Sequence, residues 1–259
     1  MLRIIKLLFL YLAYQFAFYS VSTVAYMIVE NGSIQLSALG ESSTSMSVIV
    51  ASQFLSTLAL GVHLIVGKYV RLSDLKLVSD KRFNILVASV VFIAGMAMWT
   101  NYFGEMMELP DNMKEVFAGM MKNPFGIMSI VILAPIVEEL LFRGAIQGYI
   151  IGKYNNPFWG IILSSLIFGL VHANPAQIPF AFIFGMALGW MYYITGSLLP
   201  SILMHFVNNG SVVLLGYVYD SPDATMISCF GDTGALVIAL SGLLITALSI
   251  LFIKNKLVS

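Results

Sequence analysis

Long apolar runs, broken by short polar connections, dominate the chain. Eight stand out, near Leu7–Val29, Met46–Gly67, Phe83–Phe103, Phe125–Ile150, Phe158–His172, Ile178–Ile194, Leu198–Val218 and Thr233–Ile253. A hydrocarbon core about 30 Å thick needs about 20 helical residues. All but the fifth therefore predict helices that cross a membrane. The stretch from Phe158 to His172 is short for a crossing, which predicts a tilted or re-entrant segment with His172 inside the membrane. Gly185 and Gly189 form a small-xxx-small pair in the sixth span, a pattern that lets another helix approach closely.

Composition agrees with that pattern. Of 259 residues, 59% are hydrophobic and only 10% are charged, and the mean hydropathy is +0.91. Too little polar surface is present to cover a soluble globule. The expected fold class is an all-α polytopic membrane protein of about eight transmembrane helices, a single integral membrane domain over 1–259 without repeats or a soluble module. Arg3 and Lys6 precede an apolar run that continues to about Val29. That run exceeds the roughly 7–15 residues of a secretory signal core, so it reads as a retained first span.

Net charge is zero, but the cations are unevenly spread. With the N-terminus inside, Arg3, Lys6, Lys68, Arg71, Lys76, Lys81, Arg82, Arg143, Lys153, Lys254 and Lys256 gather on one side, opposite Lys114 and Lys122. The positive-inside rule then puts both termini in the cytoplasm. Glu105, Glu108, Asp111 and Glu115 in one connection, and Asp220, Asp223 and Asp232 in another, suit the outer side. No basic run suggests nucleic acid. Cys229 is the single cysteine, which excludes an internal disulfide and any multi-cysteine metal site.

Against this apolar background, Glu138-Glu139-Leu140-Leu141-Phe142-Arg143 needs a reason to exist. A charge in hydrocarbon costs roughly 2.5–3.5 kcal/mol on insertion scales, so such groups face partners or a wet cavity. Helical spacing pairs Glu139 with Arg143 at i,i+4, carboxylate first. Glu138 is rotated by about 100° and lacks that partner. The spacing thus predicts a supporting, charge-compensated Glu139 and a Glu138 free to titrate. Pro135 removes a helix hydrogen bond just upstream and should kink the span or free a carbonyl beside the acids.

Two further polar edges share the same spacing. Phe168 and His172 lie four apart on one span, and His205 and Asn209 on another, so each pair occupies one helix face. His63 has no matching acid or amide and is assigned to helix packing. Glu138 beside a histidine can hold and deprotonate a water, while His205 and Asn209 can donate to a developing oxyanion. All parts of water-mediated amide cleavage are therefore present without a serine or cysteine nucleophile. Glu138, His172 and His205 also match a two-His, one-carboxylate zinc set. No His-Glu-x-x-His pair occurs, and an Asn suits an oxyanion donor better than a zinc ligand, so metal-free chemistry leads and zinc is the alternative. A proton-coupled transporter and a non-catalytic immunity or scaffold protein are the rivals from other classes; neither internal duplication nor paired helix breaks support transport.

Taken in order, Glu138-Glu139-x-x-x-Arg143, Phe168-x-x-x-His172 and His205-x-x-x-Asn209 resemble the three motifs of the CPBP family, the CAAX protease and bacteriocin-processing (Abi) proteins that include the Ras-converting CAAX endopeptidase. Gly185 to Gly189 and Tyr193 to Leu198 are similar to the family's segment before its third motif. The likeness covers about Pro135 to Asn209, within a motif core at about 125–218. It implies helices around a conical, cytosol-accessible intramembrane cavity. It also implies an endopeptidase acting on a membrane-associated or lipidated peptide; the compact chain without added domains suits the plasma membrane of a prokaryote. By motif position, Glu138 would activate water with His172, His205 and Asn209 would stabilise the oxyanion, and Glu139 and Arg143 would support them. One conflict stands: at about 1.5 Å per residue, His172 lies roughly 20 Å beyond Phe158 and His205 about 10 Å beyond Leu198. Tilt, the short fifth span or a re-entrant segment must bring them together.

Overall fold

Helices in the computed structural model follow the hydropathy pattern. The structure describes residues 2–34, 40, 44–219 and 225–257; Asp220 and Asp223, two of the acidic residues assigned to the outer side, lie outside the described residues. The helices are α1 (Leu2–Asn31), α2 (Met46–Val66), α3 (Arg82–Met107), α4 (Lys114–Met121), α5 (Pro124–Tyr154), α6 (Pro157–Leu170), α7 (Ile178–Thr195), α8 (Leu198–Val218) and α9 (Met226–Phe252). No strand occurs among the described residues, so the all-α class holds. Seven of these helices are long and apolar enough to cross a membrane; the eight-residue α4 and α6 are not. The fifth of the eight expected stretches is thus present as the short α6, the segment whose length was already anomalous.

Helix ends explain where the sequence boundaries drift. Asn123 accepts from the N–H groups of Phe125 (2.9 Å) and Gly126 (3.4 Å) and starts α5 ahead of Pro124. Asn156 does the same for α6 by accepting from Trp159. α9 begins at Met226, earlier than the expected Thr233, because Thr225 caps it and Glu105 of α3 accepts from the N–H groups of Met226 and Ile227. Its first turn is set off by Gly231 at φ 67°.

α5 occupies the centre and touches α1, α2, α6, α7 and α8. α1 pairs with α2, α6 with α7, and α3 with α8 and α9. Exposed positions are largely apolar, as in Leu12, Phe16, Val62, Leu166 and Leu244, whereas Glu139, Arg143, Gln147, Ser164 and Ser201 are buried. Lipid leaves little hydrophobic drive between helices, so close packing and interhelical hydrogen bonds must hold them. Both are present. Ser164 Oγ donates to Phe142 O at 2.7 Å and Ser201 Oγ to Leu188 O at 2.9 Å. His63, expected to serve packing, bonds the Tyr14 hydroxyl at 3.0 Å and stacks on Tyr69.

Two wide turns interrupt α5. Ser129–Leu133 and Glu139–Gln147 are π-helical, with α-helical Ala134–Glu138 between them. In this register the Ala134 N–H reaches Ser129 O, five residues back. The next donor in that register would be Pro135, which has none, so Ile130 O is left for another group. The freed carbonyl anticipated beside Pro135 is therefore real.

Small residues set the distance between α7 and its neighbours. A Cβ at Gly185 would fall 3.1 Å from Ser165 Cβ and 3.2 Å from Phe168 Cδ1, and one at Gly189 would fall 2.6 Å from Gln147 Oε1. Gly185→Val should accordingly lower stability by roughly 1–3 kcal/mol through overpacking. Gly152→Ala, with nothing within 4 Å of the added carbon, should not. Thermal unfolding in detergent checks this; equal midpoints for the native chain and Gly185→Val would remove the close-packing account.

Candidate active site

Glu139 is the point from which the polar cluster is built. Its side chain is fully buried, and Oε1 lies 3.0 Å from Arg143 Nη1 and 2.9 Å from His205 Nδ1. The i,i+4 pair is thus formed as the spacing predicted. His205 joins it from α8, a partnership no local rule could supply. Arg143 also donates through Nη2 to Gly185 O at 3.3 Å and lies over the Phe168 ring at 4.3 Å from its centroid. Gln147, one turn on, donates to Gly189 O at 2.8 Å. The glycine pair of α7 therefore admits the helix and offers its carbonyls to α5.

Glu138 points elsewhere. Its side chain is 22% exposed, and its Oε2 lies 3.8 Å from His205 Nε2. That distance exceeds a hydrogen bond. The expectation that Glu138 lacks a helical counter-ion holds, with a qualification: His205 faces both acids, one with each nitrogen. Tyr11 of α1 packs against the buried cluster that contains Val137 and Leu140, a neighbour the motif search did not find.

Phe168 brings the two histidines to one place. Its buried ring stands edge-on to His172 at 4.9 Å, to His205 at 5.8 Å and to Phe142 at 5.1 Å. Phe184 of α7 closes the other side of His205 at 5.2 Å. His172 sits just beyond the end of α6, where its Nδ1 lies 2.8 Å from Phe168 O. A carbonyl only accepts, so Nδ1 carries a hydrogen, which leaves Nε2 as the ring's acceptor in the neutral tautomer. By the same reasoning His205 Nδ1 donates to the Glu139 carboxylate.

The chain turns back directly after His172. Ala173 adopts φ 51°, a left-handed conformation that costs a residue with a Cβ about 1–2 kcal/mol. Asn174 is fully buried. This side chain was absent from the sequence-predicted site, although a polar residue between His172 and Pro175 in an apolar chain was a signal.

Asn209 lies one turn after His205, as its spacing required. Its amide donates to Ile130 O at 3.0 Å, the carbonyl freed by Pro135, and its oxygen accepts from Asn208 at 3.3 Å. One amide hydrogen remains. Accessibility thus divides the cluster: Glu138, His172 and Asn209 are half-buried, while Glu139, Arg143 and His205 are sealed.

Among the described residues, no group of three or more His, Cys, Asp or Glu side chains is close enough to hold a metal ion. Glu138, His172 and His205 do not form such a group.

Residues 121–211 match the family model described as type II CAAX prenyl endopeptidase Rce1-like. The chain is 35% identical over 92 residues to a putative membrane peptidase, YdiL, of Bacillus subtilis. It is 36% identical over 98 residues to the membrane-embedded CAAX protease MroQ of Staphylococcus aureus. These stretches cover 36% of this chain in both cases, and 37% and 40% of the respective relatives. No solved structure matches significantly. Residues 121–211, which carry the ordered motifs within an all-helical membrane fold, are thus similar to the CAAX-protease-like membrane endopeptidases, and the chain spans less than half the length of the curated relatives it matches.

Proposed function

We propose that the chain is an intramembrane endopeptidase that hydrolyses a peptide bond in a membrane-associated or lipidated peptide. The supporting observation is the unequal treatment of two adjacent acids: Glu139 is sealed between Arg143 and His205, whereas Glu138 is partly exposed with only His205 Nε2 nearby. A carboxylate so placed suits general-base work on water.

In this reading Glu138 takes a proton from water as its oxygen attacks the scissile carbonyl carbon. Glu138 then returns that proton to the leaving amine. The Nε2 of neutral His172 orients the same water. His205 and the remaining amide hydrogen of Asn209 donate to the oxyanion. The His205 role requires a hydrogen on both ring nitrogens, with Glu139 as the counter-ion. Two acids then balance Arg143 and His205, which makes the cluster electrically neutral within the membrane. No metal enters any step. The whole chain works as one integral domain in the plasma membrane of a prokaryote, with both termini cytoplasmic as the distribution of cations suggests. A protein substrate and the bilayer are its partners.

Glu138→Ala should abolish turnover and leave folding nearly intact. Membrane-peptide profiles of cells carrying the native chain or this variant provide the test; identical profiles would sink the proposal. Glu139→Ala strands a fully buried arginine, so it should cost about 3–5 kcal/mol of stability, read as a lower unfolding midpoint in detergent. A midpoint equal to that of Glu138→Ala would defeat the division between the acids. Chelation should leave turnover unchanged, and activity that vanished with a chelator and returned specifically with zinc would favour the metal alternative.

A further inference from the structure

Every polar side-chain atom of Asn174 is engaged, and with a segment remote in sequence. Its Nδ2 donates to Asp111 Oδ1 at 2.8 Å, and its Oδ1 accepts from the Asn112 N–H at 3.2 Å. Beside them the Ala176 N–H reaches Pro110 O at 3.2 Å. Asp111 Oδ1 also accepts from Met113 N–H at 3.0 Å, which fixes its orientation. The Asn174 carbonyl takes the N–H groups of Gln177 and Ile178, which start α7. Thus a single buried amide joins three parts of the chain: the α3–α4 connection, the turn after His172, and α7.

The turn needs such support. Ala173 holds a left-handed conformation that alanine does not favour, and strain of this kind persists only where its surroundings over-determine it. The bonds on either side supply that constraint. Ala173 separates Asn174 from His172, so its reversed backbone transmits the position of Asn174 to the imidazole.

We propose that Asn174, clamped by Asp111 and the Asn112 amide, is a positioning residue that sets where His172 stands against Phe168. The role of His172 rests on the protease reading above; the clamp itself does not. A displacement of about 1 Å in a catalytic group lowers turnover by about 100-fold, so the inference has a measurable size.

The hydrogen-bond pattern dictates three variants. Asp111→Asn keeps an oxygen to accept from Asn174 and Met113, so it should behave as the native chain. Asn174→Asp sets two carboxylates against each other and should break the clamp. The Asp111→Asn, Asn174→Asp double variant reverses the donor: Asn at 111 gives its amide to Asp at 174, which still accepts from Asn112, at the loss of the bond from the Met113 N–H that shared the same Asp111 oxygen. It should restore the clamp in part.

Hydrogen exchange of the full chain in detergent reads the clamp directly. Peptides covering 109–114 and 171–178 should exchange at least about tenfold faster in Asn174→Asp, and in the double variant at a rate between that of Asn174→Asp and the native chain. Unchanged exchange in the single variant, or no rescue, overturns the clamp. Turnover of the membrane peptide that native cells lose and Glu138→Ala cells retain reads the positioning. Asn174→Asp should lower kcat by roughly 100-fold with KM within about threefold, and the double variant should recover it in part. Faster exchange with unchanged kcat overturns the positioning role. If the native chain and Glu138→Ala give identical profiles, the protease reading has failed, and exchange alone decides the clamp.

Discussion

One oxygen of one buried carboxylate holds the centre of this protein together. Glu139 Oε1 receives Arg143 from its own helix and His205 from α8, with all three side chains nearly closed to their surroundings. An isolated charge at this depth would be unfavourable by several kcal/mol. The structure offsets that cost in part through neighbours on different helices: a glycine carbonyl of α7 and the Phe168 face of α6 engage the guanidinium. The cluster therefore connects α5 to α6, α7 and α8. Its polar groups bind helices that lipid alone gives little reason to associate.

The unusual register of α5 follows from a related constraint. Pro135 cannot donate, so one carbonyl above it must find a partner or remain unpaired in an apolar interior. The π-turn presents Ile130 O, and Asn209 supplies the hydrogen. The same amide that satisfies the backbone keeps a second hydrogen on a half-buried side chain. Wide turns of this type occur often at functional sites, and here the physical link is a particular carbonyl and a particular amide. Structural demand and chemical use meet in one side chain.

What the sequence revealed was governed by the range of its rules. Span positions, the weakness of the fifth span, the Glu139–Arg143 pair and the shared faces of Phe168 with His172 and His205 with Asn209 are all relations within one helix. Hydropathy and a period of 3.6 residues capture them. Partnerships between helices are different. Nothing local states that His205 binds Glu139 with one nitrogen and faces Glu138 with the other, or that Asn209 reaches Ile130. Ala173 is harder still, because alanine is a good helix former and its left-handed conformation is imposed from outside by Asn174 and Asp111. Glycines were legible as close-packing sites, yet their carbonyls as acceptors for Arg143 and Gln147 were not, since every residue has a carbonyl.

The depth conflict between the histidines shows how a local rule can mislead and then explain. Counted along their helices, His172 lies about 10 Å deeper than His205. Side chains on a helix, however, lean toward its N-terminus. The Phe168 ring therefore hangs back from its own Cα toward the level of His205, and meets that ring edge-on. His172 lies past the last turn of α6, and its bond to Phe168 O folds it down onto the other side of the same ring. One aromatic side chain spans the gap that a count of Cα positions leaves open. The four-residue spacing of Phe168 and His172 then has a structural meaning: it is the one turn that lets a helix too short to cross the membrane end with an imidazole over its own aromatic ring. The site therefore sits at the end of the short α6, where the chain turns back directly after His172 through the left-handed Ala173.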